Sequence, residues 1–202
     1  MIPKLLQDFE NTAVICDAET QALSGHLRRA LLQSSCCAVP LWDPQNWPSH
    51  GPHNCYNFAL NSRAVPVAFP GMHSAPIPLG RYYFSTQDMH EAVHNGAVAD
   101  GLLYLGEHFF EAAQAHDIAP VALFLRPPPY LDFHWVSLRR DERELFWAQV
   151  PGAGGAAMRL QTSIFNAALE GGYDKFAGYY GVPRDKEFKN ARRSFSPATL
   201  AA

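Results

Sequence analysis

Cys55 and His134 are the two side chains in this 202-residue sequence with the most chemistry to offer. Cys55 stands in Pro52-His53-Asn54-Cys55-Tyr56-Asn57-Phe58-Ala59-Leu60, and His134 in Leu131-Asp132-Phe133-His134-Trp135-Val136. A thiol is mostly protonated at neutral pH while its thiolate is the nucleophile, so a catalytic cysteine needs local positive potential. A helix N-terminus supplies partial charge and an imidazolium a full one. A Cys/His pair of this kind can form a thioester, the imidazole taking the thiol proton and passing it to a leaving amine. A third group usually fixes the imidazole tautomer. Gln149, on the segment after His134, is the leading candidate; Asp132 is weaker, because it leaves the same segment as His134 in parallel. An oxyanion would be held by the Cys55 backbone N–H and a side-chain donor from the loop before it, for which Gln45, His53 and Asn54 compete. Trp135, beside the histidine, is a candidate substrate-binding ring.

The surrounding elements must bring these residues together. The Pro, Trp, Asn, Ser and Gly of residues 39–52 predict an irregular connection with Trp42 and Trp47 folded back onto the domain. It delivers the chain to Cys55, after which Tyr56, Phe58, Ala59 and Leu60 can pack one helical turn, so Cys55 falls at or near a helix N-terminus. The Pro-rich stretch 66–80 ends that helix. Met89, Val93 and Ala97 share one face of a helix expected over about 86–98, with Thr86 as its cap and Asn95-Gly96 tending to end it early. Residues 105–116 read as a short helix or ordered loop. Strands are expected at 120–125, bounded by Pro127-Pro128-Pro129, at 133–138 and at 145–150, the last two forming a hairpin across the charged turn 139–144. Residues 173–180 form an aromatic-rich closing segment. Two N-terminal helices are expected, over about 3–10 and 18–33, with residues 13–16 either a strand or a turn between them.

A rival chemistry lies in His90-Glu91-Ala92-Val93-His94, which matches the two-histidine, one-glutamate helical pattern of zinc hydrolases. There two His on one face bind the metal and the Glu activates water, with Glu107, His108, Glu111 or His116 available as a third ligand. The pattern is short in a chain with nine His. Cys16, Cys36, Cys37 and Cys55 all fall in the first 55 residues, with no C-x-x-C spacing. That suits neither a disulfide framework nor a zinc knuckle, and the chemistry of the Cys/His pair calls for no cofactor and no metal.

The formal charge of −3 gives no electrostatic reason to expect nucleic acid or an anionic membrane as partner. The basic cluster of Lys186, Lys189, Arg192 and Arg193 is diluted by Asp185 and Glu187. No run approaches the roughly 18 apolar residues of a membrane span, and the N-terminus lacks a basic region followed by an apolar one. Residence in the cytoplasm, or export without a conventional signal peptide, is the expectation. Length and composition suit one loop-rich domain mixing helix and sheet.

The runs Asn54-Cys55-Tyr56-Asn57-Phe58-Ala59, Phe69-Pro70-Gly71, Asp100-Gly101-Leu102 and Asp132-Phe133-His134-Trp135 together resemble a little-characterised family of bacterial papain-like proteins. The similarity continues through Trp147-Ala148-Gln149-Val150-Pro151-Gly152 and Tyr173-Asp174-Lys175-Phe176-Ala177-Gly178-Tyr179-Tyr180-Gly181-Val182-Pro183, covering about residues 50–183. It implies an α+β, papain-like core in which a cysteine-bearing helix packs on an antiparallel sheet that carries the histidine. It also implies amide or peptide hydrolysis, as in the related peptidoglycan amidases. At the position of Gln149 the resemblance leads one to expect histidine. The division that follows is an N-terminal helical extension over 1–38, a core over 39–185 and a tail over 186–202. The expected activity is thiol-dependent cleavage of a peptide or peptidoglycan-like substrate, with a protein partner also compatible. The alternatives are the zinc enzyme and a non-catalytic papain-like binding module.

Overall fold

The computed structural model describes residues 38–74, 85–107, 117–152, 154–184 and 186–188. The expected N-terminal extension, most of the tail, Cys16, Cys36, Cys37, His108, Glu111 and His116 lie outside the described residues. Within them the chain forms a 3-10 turn at Pro44–Asn46 and three α-helices, α1 (Cys55–Ala59), α2 (Thr86–Ala99) and α3 (Ile164–Glu170). The strands are β1 (Leu103–Gly106), β2 (Ile118–Arg126), β3 (Asp132–Arg140), β4 (Leu145–Gln149), β5 (Met158–Arg159) and β6 (Lys175–Pro183). They make one sheet in the order β1-β6-β2-β3-β4-β5, antiparallel at every pairing. The fold is therefore α+β with an antiparallel sheet, and the β3–β4 hairpin stands where the sequence pattern predicts it. The aromatic segment near the C-terminus is a strand in the body of the sheet, between β1 and β2.

Side-chain alternation assigns each face of the sheet its own helices. Val121, Leu123 and Leu125 of β2, with Phe133 and Trp135 of β3, pack against Cys55, Tyr56 and Ala59 of α1 and Met89, Val93 and Ala97 of α2. Ala122 and Phe124, with Val136 and Leu138, pack on the opposite side against Ile164, Phe165 and Ala168 of α3. Because both faces are covered, residues 133–139 of β3 are buried without interruption.

Capping explains where the helices begin. Asn54 Oδ1 accepts from Asn57 N, and Asn57 Oδ1 accepts from Asn54 N, a reciprocal box that starts α1 at Cys55. Ser85, not the expected Thr86, caps α2 by accepting from Asp88 N. Asn95-Gly96 does not end α2. A Cβ on Gly96 would lie 2.5 Å from the Pro70 carbonyl, so this glycine lets the 69–71 turn approach the helix closely. At the other end of α1, the buried Arg139 of β3 donates to Phe58 O and to Asn61 Oδ1 and covers the Phe58 ring at 4.0 Å. Its guanidinium thus ties β3 to the C-terminal end of α1 through one backbone and one side-chain oxygen. Residues 186–188, assigned to the tail on sequence, are packed: Phe188 lies on the core and meets the His73 ring at 5.2 Å.

Asp100 ties three of these parts together. It is 1% exposed and accepts from Tyr56 Oη (2.9 Å), Gly71 N (2.7 Å) and His73 N (2.9 Å). Asp100→Ala leaves three donors, two buried and one part-buried, without an acceptor and is expected to cost about 3 kcal/mol in urea unfolding, with Asp100→Asn losing less because one oxygen remains. A loss below about 1 kcal/mol would show that water replaces the carboxylate and that the knot is dispensable.

Candidate active site

Gln149 stands beside His134, as the hairpin argument expects. His134 Nε2 and Gln149 Oε1 are 2.6 Å apart. With Oε1 as acceptor the ring proton sits on Nε2, which leaves Nδ1 as the basic nitrogen. The His134 ring lies tilted against Tyr173 at 5.1 Å between centroids, and the Tyr173 hydroxyl donates to Asp132 Oδ2 at 2.8 Å. Asp132 thus holds Tyr173, not the imidazole. His134 is 4% exposed, and burial lowers its pKa below the ordinary histidine value. The Gln149 hydrogen bond and the charge of Asp132 act against that shift, and Arg126 adds to it. The resting ring is neutral.

A cleft of about 260 Å³ opens at this point, lined by Arg126, His134, Gln149, Ala167, Gly171 and Tyr173, with Pro151 and Gly152 at its edge. Two of its walls escape a reading of sequence alone. Arg126 is carried there by the last position of β2, and Tyr173 by the turn between α3 and β6. The Pro127-Pro128-Pro129 run after Arg126 was the available signal, since it ends β2 and leaves the guanidinium at the strand terminus.

Cys55 is the first residue of α1, as expected, but it approaches β3 from the other side. Phe124, directly across from His134 in the β2–β3 register, belongs to the α3 face, whereas Cys55 packs with Phe133 and Trp135 on the α1 face. The thiol meets β3 at the backbone on either side of His134: Sγ lies 4.0 Å from Phe133 O, and the Trp135 N–H also faces the sulfur. The sequence argument expects a lowered thiol pKa from the helix N-terminus and an imidazolium. Burial instead pushes the Cys55 pKa up to about 12, with Asp132 adding to the rise. The N–H groups of Trp135, Tyr56 and Cys55 oppose it without overcoming it. The resting pair is thus a neutral thiol and a neutral imidazole.

The other candidates fall into structural roles. Asn54 is not free to hold an oxyanion: its oxygen caps α1 and its Nδ2 donates to Ala68 O at 2.7 Å. His53 packs edge-on against Trp47 at 5.5 Å, and Gln45 is exposed on the 3-10 turn. Trp135 is 0% exposed, wedged between Tyr56 and Tyr180, so it cannot serve as a substrate-binding surface in this conformation. In the rival motif, Glu91 points to solvent and accepts from Gln87 Nε2 at 2.8 Å, while His94 Nδ1 meets Tyr180 Oη at 3.0 Å. Among the described residues no three His, Cys, Asp or Glu side chains gather as a metal site. A larger groove, about 620 Å³, runs past Trp47, Leu60, Arg63, Arg140 and Arg184 and includes none of Cys55, His134 and Gln149. No helix among the described residues is long and apolar enough to cross a membrane.

No protein-family model, curated protein or solved structure matches this chain.

Proposed function

We propose that the chain is a papain-like thiol hydrolase that cleaves an amide bond in a peptide or peptidoglycan-like substrate. The observation that carries this reading is the 2.6 Å His134–Gln149 contact at the mouth of a cleft, on the strand whose backbone meets the Cys55 thiol. Gln149 orients the ring, and Nδ1 takes the thiol proton as sulfur attacks the carbonyl carbon. The carbonyl π electrons move to oxygen, then return to expel the amine, which leaves with the proton from His134. Water next gives a proton to His134 and attacks the thioester; the acid departs and the thiol is restored. Because the thiol lies on the α1 face of β3 and the His134 ring on the α3 face, attack requires α1 to shift relative to β3, not a side-chain rotation alone.

The test is to trap the acyl-enzyme. The chain is mixed with a panel of peptide thioesters and peptide anilides, quenched in acid, and its mass and peptide map recorded. An acyl group on Cys55, absent in Cys55→Ala, is the expected result. Turnover that persists in Cys55→Ala overturns the reading. The burial of the thiol and its separation from the imidazole favour a second reading, a non-catalytic module of the same scaffold. On that reading ligands occupy the cleft but neither acylation nor turnover occurs.

A further inference from the structure

Among the described residues no carboxylate forms an ion pair with Arg126. Its register partner across the hairpin is Asp132, the obvious counter-ion. Yet the Asp132 carboxylate accepts from Tyr173 Oη and Phe133 N, and among the described residues the Arg126 guanidinium forms no ion pair. It is held instead by contacts that leave its charge in place: it lies over the Tyr173 ring at 4.6 Å, and Nη2 donates to Gly171 O. Its Nε–H is buried without a partner. A guanidinium carries five N–H donors, so most remain unspent. Among the described residues the cleft beside it is lined by no carboxylate and by no other cation. A side chain fixed by stacking and a carbonyl, charged, and turned toward an acid-free cleft has lost little freedom to give up on binding an anion.

We propose that Arg126 binds a free carboxylate of the substrate, so that the amide bond cleaved lies next to a carboxylate-bearing residue. This deepens the hydrolase reading and rests on it. A guanidinium fork matches a planar carboxylate in a way that it does not match a neutral amide. Arg126 and His134 line one cleft of about 260 Å³, room for on the order of nine waters. That space admits one or two residues. Adjacent α-carbons are about 3.8 Å apart, so a terminal carboxylate and the amide before it both fit within the one cleft that Arg126 and His134 line. The substrate class is a peptide cleaved at or beside its carboxyl end, or at a residue with an acidic side chain.

The experiment removes catalysis from the question by using the full chain with Cys55→Ala. N-acetylglycine and N-acetylglycinamide are each titrated in while the His134 ring resonances are followed by NMR across pH. The acid is expected to bind at least tenfold more tightly than the amide. Bound acid should also move the His134 titration upward, since burial is the main cause of its lowered pKa and a carboxylate offsets the smaller lowering by Arg126. Arg126→Gln should abolish the preference for acid, and Arg126→Lys should keep part of it as a point charge. Equal binding of acid and amide, binding of neither, or a preference that survives Arg126→Gln overturns the proposal. Failure to trap acyl-Cys55 while N-acetylglycine still binds through Arg126 would remove the hydrolase reading and leave the anion site standing.

Discussion

His134→Ala is expected to lower kcat/KM for amide cleavage by about 10³-fold, the scale of losing a positioned general acid–base. The protein should remain folded, since the ring's one hydrogen bond goes to Gln149 at the cleft. Gln149→Ala keeps the imidazole but removes its orienting acceptor, so the expected loss is about tenfold, the worth of one hydrogen bond. The pH profile separates the two roles. His134 is depressed below the usual 6.5, so the base form persists and the acid limb of kcat/KM lies below that value. The Gln149 hydrogen bond raises the His134 pKa, so Gln149→Ala should move the limb lower still. Gln149→His, the residue the resemblance leads one to expect there, should retain activity. An acid limb that ignores all three substitutions would mean that another group supplies the base.

The hairpin was legible because its signals are local. Phe133–Leu138 and Leu145–Val150, apolar and separated by charge, mark the two strands, and the hairpin between them brings Gln149 beside His134. The start of α1 was legible for the same reason, although the capping box assigns Asn54 to the helix and not to chemistry. The relation of Cys55 to His134 was not. It depends on which face of β3 receives α1, and a strand buried on both sides carries no polar face to mark the choice. Phe133 and Trp135 are as apolar as Val136 and Leu138, so the sequence pattern leaves the histidine's face open. The blocks at 69–71 and 100–102 contribute to the resemblance, and their contacts are structural. Asp100 gathers Tyr56, Gly71 and His73, and Gly96 lets the 69–71 turn touch α2.

Alkaline unfolding gives the buried thiol a direct readout. Cys55 carries a pKa raised from 9.0 to about 12 by burial, so between these values the unfolded chain releases a proton that the folded chain keeps. A raised folded-state pKa contributes stability that is fully present below the unfolded value and is lost as pH climbs through the folded one. Three units correspond to about 4 kcal/mol in total. About half of that, 2 kcal/mol, should be gone by about pH 10.5. Tyr56, Tyr173 and Tyr180 are also raised by burial and contribute to the same limb, so the comparison must be a difference. Urea unfolding of the parent chain and of Cys55→Ala at about pH 8 and about pH 10.5 cancels the tyrosines and the other cysteines. The parent should lose about 2 kcal/mol more than the variant over that interval. Parallel losses would mean that the thiol ionises in the folded state as easily as in water. Burial would then not be what keeps the thiol protonated, and only its position on the α1 face of β3 would separate it from the His134 base.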